Sequence, residues 1–151
     1  MTTTHARSDA FTFSSPTTLA TRGRRLRSTG AVLAGLLTTI VVTTAVDMTL
    51  HASGVFPPMA QRMSDALFVL ALAYRIPLNM AGCYIAARLA PFAPFRHALA
   101  LGALGIVLAT IGAAAMWDAG PAWYSLANIA VAMPCAWLAG RLAQPTRARE
   151  R

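Results

Sequence analysis

The sequence predicts an all-α protein, a four-helix transmembrane bundle preceded by a disordered N-terminal tail. Three observations carry that expectation. Hydrophobic residues make up 56% of the 151 and charged residues 12%, with a mean hydropathy of +0.54, a balance outside the range of soluble domains. The apolar residues gather in runs close to the ~20 residues that a helix needs to cross a bilayer. The charge is also distributed by topology: the net charge of +8 comes from arginine alone, and the arginines flank the runs, as the positive-inside pattern requires. A lipid bilayer, and not nucleic acid, is therefore the expected partner of these cations.

Residues 1–28 are rich in Thr, Ser and Arg without sustained periodicity, and read as a disordered basic cytoplasmic tail. The tail ends in Arg22-Gly23-Arg24-Arg25-Leu26-Arg27, a cluster suited to the anionic lipids of an inner leaflet at about 1 kcal/mol per cation. The four-span domain follows over residues 29–143, and a second basic cytoplasmic tail closes the chain over 144–151.

The first span is expected over about 30–50. Gly35, Thr39, Thr43, Asp47 and His51 recur at every fourth residue within and just beyond it, which aligns them along one face of a helix. The connector to residue 64 contains Gly54 and Pro57-Pro58, which forbid continuous helix. Ser64-Asp65 has the chemistry of a helix start.

The second span, about 66–90, holds the residue around which the chain is organised. Arg75 lies near the middle of the run, followed by Pro77 and Asn79. An arginine there costs roughly 2.5–3.5 kcal/mol on insertion scales, so something must compensate it. Arg75, Asn79, Gly82 and Ala86 share a polar and small helix face, suited to another helix more than to lipid. Helical rise puts Asp47 ~10 Å above Arg75, a gap that a long arginine largely closes. Three roles follow for Arg75: an ion pair with Asp47 or Asp65, the lining of a polar crevice, or a fixed positive barrier in a pore.

The third span, about 98–116, carries Gly102, Gly105, Ala109 and Gly112 at three-then-four spacing, a ridge for close helix packing. Trp117 to Tyr124 reads as a tight turn with interfacial aromatics. The fourth span, about 122–143, contains Ser125, Asn128 and Pro134. Arginine counts put both termini on the cytoplasmic side of the membrane.

An internal echo links the second and fourth spans. Cys83 to Ala90 resembles Cys135 to Ala143, and alignment on Arg88 and Arg141 places Asn128 opposite Arg75 and Asp118 opposite Asp65. Two parallel helical hairpins would produce such an echo; so would chance among alanine-rich spans ending in arginine. The candidate intramembrane polar network is thus Arg75, Asp47, His51, Asp65, Asn79 and Asn128.

Asp47-x-x-Leu50-His51, Gly54-Val55-Phe56-Pro57-Pro58, Met63-Ser64-Asp65, Ala73-Tyr74-Arg75, Arg88-Leu89-Ala90-Pro91, Trp117, Gly120-Pro121, Trp123-Tyr124 and Pro134 form an ordered series. On this series the chain, from Asp47 to Leu142, resembles a group of small bacterial inner-membrane proteins. The resemblance implies four spans and that membrane; it implies no activity and carries over no site. Pro77 and Asn79 are not part of its pattern.

No nucleophile–base pair, carboxylate dyad, P-loop or dinucleotide fingerprint is present, so no catalytic residue and no cofactor are expected. Asp47 and His51 alone supply too few ligands for a metal site. Two expectations of function remain. The first is a structural or accessory membrane protein held together by the Arg75 network. The second is a small oligomeric transporter or channel component for an anionic or amphipathic solute, with Arg75 in its pathway. The expected partners beyond lipid are a second copy or another membrane protein.

Overall fold

The computed structural model describes residues 16–58 and 61–144, with side chains from Gly23 onward. The chain forms four α-helices, α1 (Pro16–Ala52), α2 (Asp65–Leu89), α3 (Pro94–Ala115) and α4 (Ala122–Ala143), with a single 3-10 turn over Trp117–Ala119 between the last two. No strand is present among the described residues. All four helices are long and apolar enough to cross a bilayer.

α1 departs from the expectation. It begins at Pro16, so the segment 16–28, expected to belong to a disordered tail, is helical; residues 1–15 and 145–151 lie outside the described residues. The physical reason is that hydropathy marks where a helix enters lipid, not where it starts. Arginine is a good helix former, and Pro16 occupies the first helical position, where its fixed φ is already suitable. α1 ends where Gly54 adopts φ 75, a conformation that side chains resist. The chain then folds back, with the Phe56 N–H on the Leu50 carbonyl at 3.0 Å and its buried ring edge-on to His51 at 5.3 Å.

α2 starts at Asp65 behind Ser64, as the sequence suggests, and the Ser64 carbonyl accepts from the Leu67 and Phe68 N–H groups. It runs unbroken through Pro77 to Leu89. α3 begins four residues earlier than expected, because Ala93 turns the chain at φ 44 and Pro94 opens the helix at once. α4 matches its expected limits.

α1 packs on α2 and α3 on α4, while α2 and α4 meet across the middle. The buried core is small-sided: Cys83, Ala86 and Ala87 of α2 meet Ala98 and Leu101 of α3 and Ala136, Ala139 and Ala143 of α4. Small side chains let backbones approach, which is how helices gain dispersion energy in a medium as apolar as themselves. Aligned on Arg88 and Arg141, the echo positions match in burial: Gly82, Cys83, Ala86 and Ala87 in α2, Cys135, Ala136, Ala139 and Gly140 in α4.

The face read from every fourth residue of α1 is the face that packs. A Cβ on Gly35 would stand 2.5 Å from the Gly82 carbonyl and 2.8 Å from the Ala86 Cβ, and one on Gly82 would run into the Thr39 hydroxyl. The Thr39 hydroxyl is itself spent on the Gly35 carbonyl at 3.0 Å. The ridge on α3 is shorter than expected. Gly102 lies against Ala136 and a Cβ on Gly105 would come to 3.8 Å from the Ala132 Cβ, but one on Gly112 would meet nothing within 4 Å. Beyond Gly105, α3 turns Val107, Leu108 and Ile111 outward and is exposed on most of its surface.

Candidate functional site: an ion pair between two spans

The Gly35–Gly82 contact brings α1 and α2 close enough for their polar groups to meet further along. Asp47 lies roughly 18 Å beyond Gly35 by helical rise, and Arg75 roughly 10 Å from Gly82. The arginine side chain reaches along the axis to close the difference. Its Nη2 donates to Asp47 Oδ2 at 2.7 Å, and this is the one ion pair among the described residues. The hydroxyl of Tyr74 donates to the other carboxylate oxygen, Oδ1. Asp47 is therefore held by two consecutive residues of α2, through both of its oxygens.

α4 completes the site. The Tyr124 ring lies 5.9 Å from the Arg75 guanidinium carbon and packs on Phe68 at 4.9 Å. Phe68 is buried and lies where a Cβ on Gly120 would approach its ring to 2.9 Å. Glycine at 120 thus leaves room for the α3–α4 turn to lie against that ring. The Tyr124 ring face offers the cation a quadrupole, worth about 2 kcal/mol or more when desolvated.

The other expected members of the network take different parts. His51 bonds through Nδ1 to the backbone carbonyl of Asp47 at 2.8 Å and not to its carboxylate. Asn128, opposite Arg75 in the echo, donates to the Tyr124 carbonyl of its own helix at 2.9 Å. Asp65 is exposed at the start of α2 and Asn79 is half-buried; neither joins the hydrogen bonds of the cluster. Tyr74, Phe68 and Tyr124 are the members that sequence reasoning missed. Tyr74 adjoins the arginine and could have been weighed with it. Phe68 and Tyr124 depend on α2 meeting α4, which no local pattern reveals.

Chemically, the arrangement neutralises a cation within a span. The carboxylate accepts two charge-assisted or hydroxyl bonds and the guanidinium is covered by an aromatic face. One group is left over: Arg75 Nε is buried with no hydrogen-bond partner, a cost that the pairing at Nη2 must outweigh. No cluster of three or more His, Cys, Asp or Glu that could hold a metal occurs among the described residues. Cys83 and Cys135 are free and buried, and the Cys135 thiol points at the Ile76 carbonyl at 3.8 Å.

Four apolar helices that leave their leucines and valines facing outward, packed through alanine and glycine around a neutralised charge, define a multi-pass α-helical integral membrane protein. Comparison with protein-family models, curated proteins and solved structures finds no match for this chain.

Proposed function

We propose that the chain is a structural or accessory protein of a bacterial inner membrane, without catalytic activity, with both termini on the cytoplasmic side. The observation that carries this reading is the commitment of Arg75 to Asp47 at 2.7 Å. A guanidinium that joins two spans to each other holds a bundle. One that served a solute would have to be available to it, and the transport reading loses that anchor. The resemblance to small four-span inner-membrane proteins supports the choice of membrane. The collection of Arg24, Arg25, Arg27, Arg88, Arg96 and Arg141 at one end of the bundle supports the orientation. Partners would meet the outward apolar residues of α1 and α3, among them Leu37, Val41, Val107 and Ile111. A second copy or another membrane protein fits there.

The test compares Arg75→Leu with Asp47→Leu/Arg75→Leu by abundance in isolated membranes. Lowered abundance of the single variant and recovery in the double variant support a holding role. Unchanged abundance of Arg75→Leu with altered solute accumulation overturns it. Terminal tags should be digested by protease in inverted membrane vesicles and protected in intact spheroplasts; the reverse result overturns the orientation.

A further inference from the structure

The arginine-rich end of the bundle carries a cleft of about 320 Å³ between α1 and the α2–α3 turn, lined by Arg27, Gly30, Ala31, Leu89 and Pro91. We propose that it binds the phosphodiester headgroup of an anionic phospholipid, one per chain. This rests on the reading that this end of the bundle meets an anionic leaflet, and it adds a defined site to that reading.

Four observations converge on it. First, the cleft lies at the level where the apolar part of α1 begins, Arg27 being one turn before the buried Ala31. Headgroup phosphates sit at this level of a bilayer. Second, no acid among the described residues opposes the cations. The described acids, Asp47, Asp65 and Asp118, lie at the far end of the bundle, in the last turns of α1, at the start of α2 and in the α3–α4 turn. Arg27 lines the cleft, and Arg24, one turn further out on α1, is held beside it with its guanidinium 4.9 Å over the ring of Phe92.

Third, the cleft is open to the outside beside residue 30, where a Cβ on the glycine would meet nothing within 4 Å. Fourth, an apolar track leads away from it. Gly30, Leu33 and Leu37 share one face of α1 by helical spacing, and the two leucines are 48% and 58% exposed. Leu89 is 56% exposed at the cleft itself. A free phosphate would use the cations and ignore the track; a phospholipid uses both, with acyl chains lying on the leucines. One effect opposes the anion, since the carbonyl end of α2 lies at the cleft wall. Arg88 in the last turn of α2 offsets it.

The test is native mass spectrometry of the purified full chain titrated with dioleoyl-phosphatidylglycerol or dioleoyl-phosphatidylcholine. One phosphatidylglycerol should be retained per chain at concentrations where phosphatidylcholine is not. Arg27→Gln should weaken that binding about fivefold, the equivalent of one cation at a membrane surface. Gly30→Leu, which keeps every charge and improves helix propensity, should abolish it, and Arg96→Gln should leave it intact. If Arg96→Gln weakens binding as much as Arg27→Gln and Gly30→Leu has no effect, the attraction is diffuse and the cleft is no site. The anionic-leaflet reading would then survive. Displacement of the lipid by inorganic phosphate would assign the cleft to a free anion and overturn the lipid. No preference for phosphatidylglycerol in any variant would overturn both.

Discussion

Replacing Asp47 by asparagine removes one charge and keeps the shape, the α1 backbone and an oxygen that the Tyr74 hydroxyl can still reach. What it takes away is the counter-charge 2.7 Å from Arg75 Nη2. Removing one partner of a fully buried pair costs about 3–5 kcal/mol, and exposed pairs are worth at most about 1 kcal/mol. This pair falls between the two, with its side chains 33% and 23% exposed in the isolated bundle. Asparagine still accepts one neutral hydrogen bond, so the expected loss is about 2–3 kcal/mol. For a chain of this size that corresponds to a fall in unfolding midpoint of roughly 4–12 °C. The assay is thermal unfolding in lipid nanodiscs, followed by tryptophan fluorescence, for wild type, Asp47→Asn, Arg75→Leu and the double variant. The double variant buries no unpaired charge, since asparagine and leucine are both neutral, whereas each single variant leaves one charge without its partner. It should therefore be more stable than the sum of the singles predicts, by about 2 kcal/mol of coupling. Strict additivity, or an Asp47→Asn midpoint equal to wild type, would show that the charges do not hold α1 to α2.

The glycines offer a contrast within one protein. Gly82→Ala forces a Cβ to 2.9 Å from the Gly35 carbonyl and into Thr39, and should cost about 1–3 kcal/mol as overpacking. Gly112→Ala meets nothing within 4 Å and should stabilise by up to about 1 kcal/mol through helix propensity; the same nanodisc melts measure both. Tyr124→Phe keeps the ring over Arg75 and against Phe68 and should change the midpoint little, whereas Tyr124→Ala should cost about 3–5 kcal/mol. Tyr74→Phe, which removes the hydroxyl donated to Asp47, should cost about 0.5–1.5 kcal/mol. Cys83 and Cys135 are buried, so a membrane-impermeant maleimide should label neither from either side of sealed vesicles. Both should react after denaturation, as read by intact mass; labelling of the folded protein would reveal a polar path through the bundle.

Much of the site could be read from the chain because helical spacing is rigid. The every-fourth-residue face of α1 and the Arg75–Gly82–Ala86 face of α2 are properties of a fixed rotation per residue. An arginine in a span must find an anion, and the acids within reach were few. Choosing among them was harder. Asp65 and Asp47 were both open to Arg75, and Asp65 loses because it sits exposed at the start of the same helix, more than two turns away along a rigid rod. His51 follows the same rigid spacing: four residues from Asp47 on one helix, it takes the backbone carbonyl and leaves the carboxylate to α2.

By itself, the sequence determined the solvent, the number of crossings and the approximate limits of α2, α3 and α4. Hydropathy, proline and glycine act locally and need no knowledge of neighbours. It also determined which face of each of the first two helices would be buried. The start of α1 escaped it, since a helix outside lipid leaves no hydropathic mark. Only the tertiary structure decided that α2 and α4 meet across the core, because that depends on how alanines on separate helices interlock. That contact in turn brings Phe68 and Tyr124 to Arg75, and it leaves the far half of the α3 ridge open. The charge was legible as a problem in one helix, and its solution needed three.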